Sequence, residues 1–190
     1  MDNLGCSLTK GESMLEGKQV RLRKIEEVDL PKLRDWRNSP YIRAYTREYR
    51  PLNMLNQNKW FSALLTDKTN VMFVIEKKED SEIIGCCGLT YINWKEGHGE
   101  VSIYIGEPKW QEKGYASGAL QLLLNYGFCE LRLHRIYAII FEYNEASIKF
   151  FEKNSFKFEG RHREARFWDG KFHDELVYGV LEHEYLEEHI

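Results

Sequence analysis

Cysteine, proline and long apolar runs are all scarce in this 190-residue chain, and each scarcity removes a class of protein. The four cysteines, Cys6, Cys86, Cys87 and Cys129, are too few and too irregularly spaced for a disulfide framework. No C-x-x-C pair offers a zinc site. Four prolines and 14 glycines exclude collagen-like and proline-rich low-complexity architectures. No apolar stretch approaches the roughly 20 residues that a spanning helix needs. Met1 to Ser13 are polar and carry no apolar core of a signal peptide. A reducing cytoplasm, with no membrane partner, is the expectation. An excess of one charge is missing too. With 27 basic against 30 acidic residues and a net charge of −3, the chain lacks the basic surface of a nucleic-acid binder, so no nucleic-acid partner is expected.

What is present is enough for a core. Hydrophobic residues make up 43% and aromatics 14%, and a chain of this length buries roughly 70% of its unfolded surface. No internal repeat or linker-like stretch divides it. The expectation is one domain over residues 15–190 behind a loose tail at residues 1–14, with Met14 an alternative start.

The hydrophobic pattern changes period along the chain. Gln19 to Arg23 alternates as a strand. Asp29 offers an N-cap with Pro31 in the first turn, and Leu30, Leu33, Trp36 and Arg37 follow at helical spacing until Asn38-Ser39-Pro40 stops the helix. A polar and aromatic connector, Tyr41 to Pro51, leads to a second helix with Met54, Trp60, Phe61, Leu64 and Leu65 on one face. Val71–Ile75, Ile83–Ile92 and Glu100–Ile105 are strands joined by short turns, hence an antiparallel meander. Cys86 and Cys87 are neighbours in the middle strand, so they point to opposite faces as small apolar fillers. A polar loop, Lys109 to Gly114, opens a helix from Tyr115 to Leu131. A strand from Ile136 to Phe141, a short helix from Glu145 to Lys153 and two strands around Asp169-Gly170, a type I′ hairpin signal, complete the chain. The order βααβββαβαββ is an α+β layout, unlike the βαβα alternation of a doubly wound dinucleotide fold.

The segment richest in chemistry is the strand Ser102-Ile103-Tyr104-Ile105 followed by Gln111-Glu112-Lys113-Gly114-Tyr115-Ala116. Gly114 and Ala116 lack bulk, so backbone N–H groups at the helix start can approach a ligand closely. That terminus carries about half a positive charge and attracts phosphate, and Gln111 and Lys113 add side-chain donors. Such loops also serve as plain strand-to-helix turns. This one is neither a G-x-x-x-x-G-K-S/T phosphate loop nor a G-x-G-x-x-G turn.

Gln111-x-x-Gly114-x-Ala116 resembles the Q/R-x-x-G-x-G/A pyrophosphate loop of the GNAT superfamily of acyl-CoA-dependent N-acetyltransferases. Asn144-Glu145-Ala146-Ser147 and Glu152-Lys153-Asn154-Ser155-Phe156 resemble the later N-x-x-S/A and E-K-x-G-F stretches of that family. The opening Val20-Arg21-Leu22-Arg23, the Trp36-Arg37-Asn38 helix end and the ending Trp168-Asp169-Gly170-Lys171-Phe172-His173-Asp174 look like its ribosomal-protein alanine and spermidine acetyltransferase branch. The resemblance runs over roughly residues 15 to 185.

It implies a mixed, mostly antiparallel twisted sheet flanked by helices, with the strand before the loop splayed from its neighbour. It implies acetyl-CoA as cosubstrate and no metal. Pantetheine would bond the backbone around Tyr104, at Ile103 and Ile105. The pyrophosphate would sit on Gln111, Glu112, Lys113, Gly114, Tyr115 and Ala116, with Asn144 and Ser147 beside the thioester. The acceptor is then a primary amine: a ribosomal or other protein N-terminus, a polyamine or an amino-sugar. Trp36-Arg37-Asn38, the connector and the terminal hairpin would form its pocket. A homodimer through the hairpin strands is in keeping with this branch.

Glu100, at the start of the splayed strand, is the expected general base. Its plain alternative is a strand-start glutamate pairing a surface cation. On a regular strand it lies roughly 13 Å from Tyr104, too far for both to touch one atom. The resemblance breaks at the acid. Many members carry Tyr seven residues after the Asn, where this chain has Phe151. Ser147 is the expected substitute, with Tyr143 and Tyr104 in reserve, and a helix-start hydrogen bond is its plain alternative. Ser155 stands where the family has Gly, a change expected to matter for the turn. Phe151 also supports a rival reading, a non-catalytic acyl-CoA-binding module on the same fold. His183 to His189 misses the H-E-x-x-H zinc pattern because Glu187 stands at the second histidine. The acidic run Glu182 to Glu188 reads as a solvated face, with attraction of a cationic amine as its functional alternative.

Overall fold

A computed structural model of the protein describes residues 15–189. The expected tail at residues 1–14, with Cys6 and Met14, lies outside the described residues. Seven strands form one sheet in the order β1-β2-β3-β4-β5-β7-β6. The strands β1 (Val20–Lys24), β2 (Val71–Lys77), β3 (Ile83–Asn93) and β4 (His98–Ile105) pair antiparallel in succession, as the meander requires. β4 then runs parallel to β5 (Arg135–Phe141), and β5 pairs antiparallel with β7 (Lys171–Leu181), which carries β6 (Lys157–Trp168) at the edge. Asp169 and Gly170 have φ of 48° and 79°, the left-handed pair that a type I′ turn demands.

Both faces of the sheet are covered, which is why β3 reads as an unbroken apolar run and not as an alternation. Cys86 pairs across to Tyr104, whose ring meets Trp36 of α1 (Leu30–Asn38) edge-on. Cys87 pairs across to Phe73, whose ring meets Tyr126 beyond α4 (Tyr115–Asn125). Cross-strand partners share a face, so the adjacent cysteines point to opposite faces, and both are buried and free. The core fills both sides, with Leu33 and Trp36 from α1, and with Leu120, Leu123 and Leu124 from α4.

Four local expectations are corrected. Asp29 does not cap α1. It closes a 3-10 turn, and its carboxylate accepts from the Glu26 N–H and from Arg23. Pro40 starts a helix as well as ending one. Ser39 accepts from the Ile42 N–H and opens the short α2 (Pro40–Arg43), where a proline in the first turn lacks only an N–H that would be unpaired anyway. The helix from Tyr115 ends as regular α-helix at Asn125 and widens into a π turn, Tyr126–Glu130. A Cβ on Gly127 would meet Ile136 at 2.6 Å, so the chain here is pressed against the sheet and the Leu131 N–H reaches back five residues to Tyr126. The acidic run forms α6 (Glu182–His189) and is not wholly solvated: Tyr185 is buried against Phe128, with ring centroids 5.3 Å apart. The remaining helices are α3 (Met54–Leu64) and α5 (Glu145–Lys153). No helix among the described residues is long and apolar enough to cross a membrane.

Candidate active site

The parallel pair β4 and β5 is bonded over three positions only, His98↔Arg135, Gly99↔Ile136 and Glu100↔Tyr137. Beyond Glu100, β4 follows β3 as far as Ile105, while β5 follows β7 as far as Phe141. The two strands diverge and leave a wedge that opens toward their carboxyl ends, where parallel strands place their ligands. The phase of the open edge follows from one bond. The Gly106 N–H donates to the Ile84 carbonyl at 2.8 Å, and backbone groups alternate sides along a strand. Tyr104 and Ser102 therefore turn their backbone toward β3, and Ile103 and Ile105 turn theirs into the wedge. Tyr104 keeps its phenol between Trp36 and Cys86, where burial pushes its pKa well up.

At the open end on the β4 side lies the loop. Gln111, Glu112, Lys113 and Gly114 are exposed, and buried Trp110 anchors the chain before them. Glu112 at φ 57° and Gly114 at φ 84° bend the loop into α4. Gly114 is the N-cap residue, and no side chain caps the helix. Among the described residues, the N–H groups of Tyr115, Ala116 and Ser117 meet no acceptor. A helix start with uncapped donors and exposed neighbours is a cradle for an anion. At the open end on the β5 side, Asn144 caps α5 by accepting from the Ser147 N–H at 3.2 Å. The Ser147 hydroxyl is partly exposed and has no recorded partner among the described residues. Phe151 is buried edge-on between Phe150 and Phe156.

Glu100 stands at the apex and is only 6% exposed. Its partner is Arg47, whose guanidinium donates to Oε1 at 2.6 Å. Burial raises the Glu100 pKa, Arg47 pulls it back, and nearby Glu175 pushes it further up. The result is a net rise, unlike that of an ordinary surface ion pair.

The connector and the terminal hairpin meet beside this apex. The Tyr143 hydroxyl donates to the Ala44 carbonyl at 2.9 Å, and Arg166 donates to the Thr46 carbonyl at 2.9 Å. Tyr143 lies edge-on to His173 at 4.7 Å, and His173 Nδ1 is 3.0 Å from Glu142. Asn38 clamps the far end of the connector through both bonds to Leu52, each 2.7 Å. Trp36 belongs to the core, where its ring would meet any Cβ placed on Gly106. Sequence reasoning missed Arg47, Glu142, Arg166, His173 and Glu175. The resemblance placed the connector and the terminal hairpin in the acceptor pocket, with His173 inside its closing motif, but assigned none of these residues a role. Among the described residues no group of three or more His, Cys, Asp or Glu gathers as metal ligands.

Residues 19–157 match the family described as the acetyltransferase (GNAT) domain. This chain belongs to the GNAT acetyltransferase family. It is an N-acetyltransferase that uses acetyl-CoA as donor and an amine as acceptor. A protein named uncharacterized N-acetyltransferase p20, from Bacillus licheniformis, is 31% identical over 172 residues, covering 88% of this chain and 95% of that protein. Spermidine N(1)-acetyltransferase of Escherichia coli is 29% identical over 170 residues, 90% of each. The crystal structure of spermidine N-acetyltransferase from Vibrio cholerae in complex with CoA and spermine superposes with a TM-score of 0.82 at 28% identity, covering 88% of this chain and 98% of that one. The mixed, mostly antiparallel GNAT sheet expected from the motifs is the fold observed.

Proposed function

We propose that this acetyltransferase, with its catalytic domain over residues 15–190, acetylates a primary amine of a small polycation such as a polyamine, with Glu100 as general base. The observation that carries this reading is a buried, pKa-raised carboxylate at the apex of the wedge. The Glu175 charge nearby and the spermidine acetyltransferases among the relatives support a cationic acceptor. A polyamine arrives as an ammonium and is not yet a nucleophile. Glu100 takes its proton, directly or through one water. The amine nitrogen then attacks the thioester carbon, and the outward N–H of Ile103 stabilises the oxyanion that forms. Collapse breaks the carbon–sulfur bond, and the Ser147 hydroxyl relays to the leaving thiolate the second proton, which the nitrogen sheds as the amide forms. Ile103 and Ile105 would hold the pantetheine. The uncapped start of α4, with Gln111 to Ala116, would hold the pyrophosphate, and Asn144 would fix α5 beside the thioester. This placement turns a bimolecular encounter into an oriented one.

The test is thiol release from acetyl-CoA with spermidine, an amino-sugar and a peptide with a free N-terminal alanine. Turnover with spermidine alone supports the reading, and turnover with the peptide alone moves the acceptor to a protein N-terminus. The second reading, an acyl-CoA-binding module without turnover, rests on Phe151 lying in the core without a hydroxyl. Phe151→Tyr separates the two. With Ser147 as donor, kcat stays within about twofold, whereas a rise of tenfold or more shows that the native chain lacks an acid.

A further inference from the structure

The base is not free to accept a proton from an acceptor while a guanidinium holds it. Arg47 comes from the part of the connector that lies between α2 and α3 without helix or strand, 53 residues away from Glu100 in sequence. Its side chain keeps 42% of its surface in solvent, whereas that of Glu100 keeps 8%. A second resting place lies beside it. The Arg47 guanidinium is 5.9 Å from the centroid of the Tyr91 ring, within the range of cation–π attraction. Tyr91 is placed there at a cost in backbone energy. It follows Thr90, the residue paired with Glu100, and the β3–β4 register breaks between Thr90 and Asn93. Its φ of 51° is a left-handed conformation that a bulky residue adopts rarely. The irregularity re-aims a ring that stays 61% exposed. Strain of this kind clusters where a side chain must be held for function.

We propose that Arg47 is a positioning residue that caps Glu100 before the acceptor arrives and yields it to the incoming ammonium by moving fully onto the Tyr91 ring. The exchange conserves charge at the carboxylate, one cation replacing another, so the acceptor does not have to desolvate a bare anion. It also selects for acceptors that carry a positive charge. The groups that face the pair are Arg47 itself from the connector, Tyr91 from β3, Tyr137 from β5 and Glu175 from β7. Once Arg47 leaves, the only cation at the carboxylate is the one that carries the proton to be moved, and burial and Glu175 favour its transfer to Glu100.

The inference rests on the acceptor reading above, and its test separates the two. Steady-state kinetics with acetyl-CoA and spermidine are compared for wild type, Arg47→Met, Arg47→Lys and Tyr91→Leu, with Glu100→Gln as reference. Arg47→Met is expected to lower KM for spermidine three- to tenfold and to move the acid limb of kcat/KM to higher pH, while Arg47→Lys restores both. Tyr91→Leu, which removes the second resting place, raises KM severalfold. A KM that rises or stays level in Arg47→Met overturns the gate, as does a Glu100→Gln protein as active as wild type. A 13C NMR titration of glutamate carboxyls needs no acceptor. The resonance lost in Glu100→Gln must titrate at higher pH in Arg47→Met than in wild type, and an unchanged midpoint overturns the proposal. If the wild type acetylates none of the amines, the acceptor reading fails, and this titration still decides whether Arg47 governs Glu100.

Discussion

Two glutamates on neighbouring parts of the same sheet are almost equally buried and titrate in opposite directions. Glu76 on β2 is 3% exposed and Glu100 on β4 is 6% exposed. Burial is the largest influence on both, and it pushes both pKa values up. At Glu76 it is outweighed. Arg21 donates to one carboxylate oxygen through Nε at 2.7 Å and also through Nη2, and Arg23 donates to the other at 2.8 Å. Both arginines stand on β1 in register with the end of β2, and Arg23 is itself tied to Asp29. At Glu100 one arginine answers, from an irregular connector, and the net shift is upward. Burial therefore does not decide the state of a carboxylate. The number of cations and the rigidity of what carries them decide it.

The largest expected effect comes from breaking the structural member of the pair. Glu76→Ala leaves Arg21 without its carboxylate and Arg23 with Asp29 alone, and should cost about 3 kcal/mol, at the low end for a broken buried pair because both arginines keep about a third of their surface in water. A fall in Tm of roughly 10 °C by calorimetry is the readout. Glu100→Gln should do the reverse. Its kcat falls about 100-fold, the contribution of a general base, while its Tm stays within a few degrees of wild type. A Glu100→Gln protein that unfolds like Glu76→Ala would erase the distinction between the two sites.

Next in size, Gly114→Ala leaves both carboxylates alone and attacks the donor cradle. At φ 84° a Cβ is strained by about 1–2 kcal/mol, which acts on the bend that presents the uncapped N–H groups, while the methyl itself would stand 3.4 Å from Gln19 Oε1. The Kd for acetyl-CoA, measured by isothermal titration, should rise about tenfold, with the acid limb of kcat/KM unmoved.

The pH profiles sharpen the comparison. Glu76 has a lowered folded pKa, so its stabilisation is full above the unfolded value near 4.3 and is lost as pH falls through the folded value. Tm should drop on acidification in wild type and less steeply in Glu76→Gln. Glu100 has a raised folded pKa, so the stability it contributes is full below the unfolded value and is lost as pH rises through the folded one. Its ionised form costs the fold. The acid limb of kcat/KM should accordingly lie above the ordinary glutamate value. The smallest expected effect is at Ser155, which holds φ 66° where the related motif has Gly. Ser155→Gly should stabilise by about 1 kcal/mol with no change at either carboxylate.

Much of the donor side was legible because it is local. Gly114 and Ala116 at a helix start depend on residues within a few positions of one another, as does the Asp169-Gly170 turn of the terminal hairpin. Backbone sterics and unpaired N–H groups write such features into neighbouring residues. On the connector and hairpin side the resemblance named the segments but not the residues that meet. Tyr143 reaches Ala44 across 99 residues and Arg166 reaches Thr46 across 120. No periodicity records which loop will lie against which hairpin. Asp29 misled at short range. It has the chemistry of a cap, but Arg23, brought close by the turn, competed for its carboxylate and won.

Taken alone, the sequence determined the order of the seven strands and of helices α1, α3, α4 and α5, and the bend of the loop before α4. These follow from hydrophobic period and from φ preferences, which act along the chain. The tertiary structure alone set where β4 and β5 part, and which of two buried glutamates is held by two arginines and which by one. Those outcomes depend on desolvation and on charges delivered from distant segments. Such quantities come into being only when the chain has closed on itself.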